Sequence, residues 1–289
     1  MSADEQLLYE ARVRPRQAVI AGVAAFALIA AAALQITGPH TKVSEITIGL
    51  ITEHKRAATD VIGSVIQMVG WLTLTSTLVF LLRASKARNP RTPGFIRILA
   101  IVGGIGAAFS GVISAVVIAI KANDFVSHGN QTYEQAHAVT TSAVLVVPQI
   151  LVQASALLIA ISVVMVCVHA MRVGLLTRFL GYLGMFAGAL IIIPIVQLPV
   201  VQAYWLAAVA YLLYGRWPSG MPKAWETGRA EAWPSSQQLR EQRNATMGKQ
   251  ARSKPGRGKP APEPEPVAEP VAARTTRSTT PKRKRKRRH

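Results

Sequence analysis

The chain has 289 residues, half of them hydrophobic, with 33 Lys and Arg against 14 Asp and Glu and a formal net charge of +19. That charge is unevenly divided, since residues 216–289 hold 19 basic against 6 acidic residues while residues 1–215 hold 14 against 8 and are filled with long Ala, Val, Ile and Leu runs. The composition therefore excludes a wholly soluble basic domain, and the single cysteine, Cys167, excludes an intramolecular disulfide.

A helix needs about 20 apolar residues to cross a hydrocarbon core of roughly 30 Å, and uncharged runs of about 18 or more mark the candidates. The first is residues 17–36, after a short segment, 1–16, that carries Arg12, Arg14 and Arg16. Its apolar run exceeds the roughly 7–15 residues of a signal-peptide core, so a retained span is expected rather than a cleaved leader. Next, Val43, Ile46, Leu50 and Ile51 fall at helical intervals. They predict an amphipathic helix at the outer surface or an extension of the second span, 61–82.

The third span, 98–120, reads GGIGAAFSGVISA and sets Gly103, Ala107, Gly111 and Ala115 four residues apart. Helices in lipid associate through close packing of small residues, so this stripe should face another helix of the chain or form a homo-oligomer seam. In the following connector, TYEQAHAVTTSA lacks Gly and Pro and is expected to lengthen the fourth span, 143–168. Residues 179–215 then run uncharged for 37 positions, about 55 Å as a single helix. Pro194 and Pro199 divide the run, because proline removes a donor and drives the preceding residue out of the helix. Two short spans, 179–196 and 200–215, turning near residues 197–199, are expected. The competing reading is one broken span buried by protein.

The connectors alternate in charge. Residues 1–16 and the second and fourth connectors carry Arg12, Arg14, Arg16, Arg83, Lys86, Arg88, Arg91, Arg97, Arg172 and Arg178, whereas the others carry Lys42, Lys55, Arg56 and Lys121. Cytoplasmic loops collect Lys and Arg. The expected architecture is thus an all-α, polytopic bundle of six spans, residues 17–215, in the inner membrane of a cell, with both termini cytoplasmic.

No acid or base falls in the middle of a span, which leaves the amides as the candidate polar site: Gln67 in the second span, and Gln149 and Gln153, four apart after Pro148, in the fourth. They either line a small-solute site or hydrogen-bond across helices as packing contacts worth about 1 kcal/mol each. His40, His54, His128 and His137 form no HxxxH or HExxH pattern, and no nucleophile elbow or phosphate-binding loop is present. No catalytic residue, metal or cofactor is predicted.

After the last span, Trp217, Trp225 and Trp233 recur every eight residues in segment 216–243. Tryptophan favours the membrane interface, which predicts a segment lying along the cytoplasmic surface. The runs RFLGYLGMFAGAL and YGRWPSGMPKAWETG resemble the C-terminal part of uncharacterised multi-pass inner-membrane proteins of GC-rich bacteria, over residues 172–235. The resemblance implies a six-span-like membrane protein and brings no activity or functional residues with it.

Residues 244–289 are rich in Pro and charge and poor in aromatics, so they cannot bury enough surface to offset ordering entropy, and disorder is expected. They end in Lys282, Arg283, Lys284, Arg285, Lys286, Arg287 and Arg288. Near an anionic leaflet such residues contribute about 1 kcal/mol each, and nucleic-acid phosphates compete for them without sequence reading. The sequence predicts a non-enzymatic membrane protein whose tail engages anionic lipid, nucleic acid or an acidic partner. The alternative is a transporter or channel built on the three glutamines.

Overall fold

The computed structural model describes residues 3–37, 45–193, 199–218 and 220–231, together with Arg240 and Asn244. The chain divides into two units, residues 1–233 and 234–289, and in the second only Arg240 and Asn244 are described. The basic run from Lys282 to Arg288, Gln197 and Trp233 lie outside the described residues.

Every regular element among the described residues is helical: α1 (Ala3–Ile36), α2 (Ile46–Arg88), α3 (Phe95–His128), α4 (Tyr133–Thr140), α5 (Ala143–Arg172), α6 (Arg178–Ile192), α7 (Val200–Leu213) and α8 (Ala224–Thr227). Four of them, α1, α2, α3 and α5, are long and apolar enough to cross a membrane. Helices α6 and α7 are apolar but have only 15 and 14 residues, about 22 and 21 Å. The long uncharged stretch is thus broken beside its prolines. Ile193, which precedes Pro194, is extended, and Pro199 caps α7. Against the expected limits 179–196 and 200–215, α7 ends at Leu213, and residues 194–196 lie outside the described residues.

Two connectors resolve in different ways. Residues 46–60 contain no proline and continue straight into the second span, so α2 is one helix of 43 residues, about 65 Å long. The connector after α3 does not lengthen the fourth span. Thr132 caps a separate helix, α4, by accepting from Gln135 N. At its other end the hydroxyls of Thr140, Thr141 and Ser142 donate to the carbonyls of Ala136, His137 and Val139 and close the helix before α5 begins. Consecutive Ser and Thr compete in this way for the carbonyls that a continuing helix would use.

The six larger helices form a closed ring in the order α1, α2, α3, α5, α6, α7, with α2 and α5 also touching across it. Small residues set the approach. A Cβ on Gly103 would lie 2.7 Å from Ile159 N and 2.9 Å from Leu158 Cβ, so that part of the stripe is occupied by α5 of the same chain. Gly184 is wedged between Cys167 of α5 and Trp205 of α7. Trp205 is fully buried and donates its indole N–H to Leu180 O at 3.1 Å, while the buried Gln202 donates to Ala187 O at 3.1 Å. These two bonds zip α6 and α7 into an antiparallel hairpin. Gln202 is therefore one of the glutamines that serves as a packing contact.

One end of the ring gathers the start of α1, the α2–α3 and α5–α6 connectors and residues 216–231, and with them the more basic connectors. Here Trp225 departs from the surface position expected for the tryptophan segment. Trp225 is buried, stacked on Phe80 at 5.9 Å, and donates its indole N–H to Leu175 O at 2.9 Å. Its position depends on Gly174 and Gly228, both in the left-handed region at φ 79° and 67°. Side chains there would also run into Glu231 O and Leu7, respectively. An indole with a buried carbonyl partner is better placed inside this end of the bundle than on a surface.

Candidate functional site

At the opposite end, α2 presents Glu53, Arg56, Asp60, Ser64 and Gln67 on one face, at steps of three or four residues. They form one wall of a cleft of about 350 Å³. Small residues of α3, among them Gly111, Ser114 and Ala115, leave the space open, and Gln149 and Val152 of α5 close the other side. The structure therefore brings together two of the three predicted glutamines, Gln67 and Gln149. Gln153 is exposed and lies away from the cleft wall. One turn further along α5 the contact with α3 becomes tight, where Gly106 meets Ser155, and no room remains on that face.

Arg56 fixes the level of the cleft. Its guanidinium donates to Gln35 O, at the last turn of α1, at 2.6 Å and to Asp60 Oδ1 at 3.2 Å. Position 56 is thus level with the end of the first apolar run, and Glu53 sits about one turn beyond it, outside the uncharged part of α2. Gln67 lies eleven residues further in, about 16 Å along the axis. The cleft is charged toward the start of α2 and amide-lined at Gln67 and Gln149.

A second hollow of about 470 Å³ adjoins the cleft and shares Glu53, Ile118 and Gln149 with it. The rest of its wall is nearly all apolar: Ile46, Gly49, Leu50, Leu145, Val146 and Ile150, with Thr140 of α4. Both volumes fall within the range of small-ligand sites, about 300–1,000 Å³.

A different polar construction closes the basic end. Glu10 of α1 and Arg88 of α2 form a buried bidentate pair, with Nη2 to Oε2 at 2.7 Å and Nη1 to Oε1 at 2.9 Å. Arg88 also donates through Nε and Nη2 to Ala224 O at 2.9 and 2.8 Å and through Nη1 to Ala84 O at 2.9 Å, and it lies 5.3 Å from the centre of the Trp225 ring. Five hydrogen bonds satisfy its three nitrogens. This cluster is structural in character, because it leaves no open donor for a ligand.

In the sequence Glu53 stands beside His54 without a metal-binding pattern, Arg56 counts only toward the charge of the first connector, and Asp60 carries no signal of its own. The signal that reveals them is their phase with Ser64 and Gln67, which appears once residues 46–82 are treated as a single helix. Among the described residues, no three His, Cys, Asp or Glu side chains converge as metal ligands would. No family model, curated protein or solved structure matches the chain.

Proposed function

We propose that this is a non-enzymatic integral membrane protein, with both termini cytoplasmic, that binds a small ligand in the cleft between α2, α3 and α5. The observation that supports this is the single polar face of α2, Glu53 through Gln67, lining open space opposite Gln149. Amides serving only as packing contacts would be covered by a neighbouring helix, as Gln202 is. No catalytic role follows, since the cleft carries carboxylates, a guanidinium and amides without a nucleophile held by a base.

The bundle is read as six membrane-embedded helices. Helices α6 and α7 are shorter than a core of roughly 30 Å and form a hairpin that enters from the basic end and returns to it. The alternation of ten basic residues against four supports a cytoplasmic basic end, so the cleft opens on the other side. Impermeant thiol reagents test this in a Cys167→Ala background. New cysteines at Ser64, Gln67 and Ser114 should react from outside intact cells, and Gly111→Leu should shield Gln67→Cys. Labelling only after permeabilisation would refute the topology, and unreactive cleft positions would refute the cleft.

The tail supports a second role. Seven consecutive basic residues, Lys282, Arg283, Lys284, Arg285, Lys286, Arg287 and Arg288, would face the cytoplasmic leaflet under this topology and engage anionic lipid or nucleic acid non-specifically. Deleting residues 282–289 should leave insertion intact and abolish salt-sensitive binding to anionic vesicles. Equal binding by the deleted protein would remove that role.

A further inference from the structure

We infer that the groove between α1 and α2 at the basic end seats an anionic phospholipid with a hydroxyl-bearing headgroup. The inference needs the bundle to lie in a bilayer and does not depend on the cleft, which is at the other end.

Two helix faces build the groove. Tyr9, Val13 and Gln17 of α1 and Ser76, Val79 and Arg83 of α2 recur at steps of three or four residues around about 290 Å³ of open space. Glu10, Phe80 and Ala84, all buried, close its back. The charge of Glu10 is already matched by Arg88. The register of the two helices follows from two contacts, Gly70 on Leu28 and Glu10 on Arg88, whose numbers add to 98 in both cases. Arg12 is therefore level with Lys86, and Arg16 with residue 82, beside Arg83. All four of these cations are exposed, and none of their side chains has a hydrogen-bond or ion-pair partner among the described residues. The rim thus gathers unmatched positive charge within a band of about 6 Å along the axis.

The order of polarity along the groove matches a phospholipid of the adjoining leaflet. The four cations lie at the edge of the uncharged runs, which begin at Gln17 in α1 and end at Leu82 in α2. Ser76 comes next, about 10 Å inward of Arg83. Still further inward, the same face of α2 carries Leu72, Val69 and Val65, all exposed. Phosphate, ester and acyl chain meet these three levels in that order, with the chains directed toward the bilayer centre. Guanidinium pairs strongly with phosphate, and basic pockets between membrane helices bind anionic headgroups.

Gln17 refines the headgroup. Its Oε1 is buried and has no hydrogen-bond partner among the described residues, which calls for a donor. It is level with residue 81 and so borders the cationic band. The phosphate diester and the acyl esters of a lipid carry no donor, whereas a hydroxylated headgroup folded in from the rim supplies one.

Purified full-length protein in detergent is titrated with phosphatidylglycerol, phosphatidylethanolamine or phosphatidylmethanol of the same acyl chains, and bound lipid is counted by native mass spectrometry. About 0.2 M salt screens the tail. The parent should favour phosphatidylglycerol over phosphatidylethanolamine by about tenfold, equivalent to about 1.4 kcal/mol. Arg83→Gln and Ser76→Phe should each cut the preference to about threefold or less, the first by removing the cation and the second by filling the groove. Arg97→Gln, which removes the same charge from an exposed position on α3, should leave it intact. Gln17→Leu should weaken phosphatidylglycerol by about fivefold and spare phosphatidylmethanol, which has the same charge and no headgroup hydroxyl.

Equal binding of phosphatidylglycerol and phosphatidylethanolamine by the parent, or an equal loss in Arg97→Gln and Arg83→Gln, would overturn the site. Ser76→Phe is compared only at the parent's melting temperature, and Arg83→Gln, at an exposed position, decides the matter if the larger side chain unfolds the bundle. If Gln17→Leu weakens both anionic lipids alike, the hydroxylated headgroup is wrong. Soluble glycerophosphoglycerol at about a hundredfold excess should leave the bound lipid in place, and displacement by it would replace the lipid with a water-soluble phosphodiester. None of these results bears on the cleft, so its failure and that of the groove are read separately.

Discussion

Glu10→Gln is the sharpest perturbation of the fold. It keeps the size of the side chain, removes the charge and leaves Arg88 buried at 1% side-chain exposure. Two charge-assisted hydrogen bonds are affected, each worth about 1.5–3 kcal/mol. The glutamine oxygen can still accept one, while its NH2 group faces the guanidinium with no acceptor between them. Arg88 keeps its bonds to Ala224 O and Ala84 O, which holds the loss near the lower end of the roughly 3–5 kcal/mol seen when one member of a buried pair is removed. The expected cost is about 3 kcal/mol.

Cys167 supplies the assay. It is the only thiol and has no exposed surface, lying beneath Gly184 and Trp205, so a thiol reagent reaches it only when the bundle opens. At about 1.36 kcal/mol per factor of ten, Glu10→Gln should speed Cys167 modification in detergent by more than a hundredfold when opening is in fast equilibrium. Replacing both members, Glu10→Leu with Arg88→Leu, removes the uncompensated charge and should cost less than Glu10→Gln alone. A single variant that speeds labelling less than about fivefold, or a double variant that loses the sum of the singles, would refute this account of the basic end.

Two further outcomes follow from the packing. Gly184→Ala pushes a methyl group into Cys167 and Trp205 and should destabilise by about 1–3 kcal/mol, measured as a lower melting temperature, whereas Gly49→Ala meets no atom and should be neutral or stabilising by up to about 1 kcal/mol.

Much of the helical frame was legible because a bilayer leaves few options. Backbone groups in hydrocarbon must be bonded internally, and a crossing helix must stay uncharged over its length, so the runs at 17–36, 61–82, 98–120 and 143–168 announce α1, α2, α3 and α5. Pro194 and Pro199 likewise announce the break between α6 and α7. A helix or an extension of the second span is expected around residues 43–51, but that expectation does not put Glu53, Arg56 and Asp60 in phase with Gln67. Asp60 and Arg56 end the uncharged run, but nothing at them ends the helix, and the polar face continues in phase to Gln67. The pair Glu10–Arg88 spans 78 residues of sequence. Ten basic residues occupy connectors at that end, and no local pattern distinguishes the buried one from the rest. Trp225 and Gly228 were the nearest hints, and an interfacial tryptophan explains the first equally well until Leu175 O is seen beside it.

Helix α2 joins the two constructions, with Arg56 and Arg88 on one uninterrupted helix about 48 Å apart. A ligand that tilted α2 at the cleft would also move Arg88 against Glu10, Ala224 and Trp225, and a ligand can shift an equilibrium only by its differential affinity for the two states. If the buried pair holds the closed arrangement by about 3 kcal/mol, opening the basic end demands more than a hundredfold tighter binding to the open state. Trp205, Trp225 and Phe80 fill that end as well, so a path through the ring requires these large side chains to leave together. On the proposed function, the arrangement favours binding at one end without passage to the other. Solute flux into proteoliposomes by the parent protein, absent in Gly111→Leu, would overturn that reading and identify the basic end as a gate.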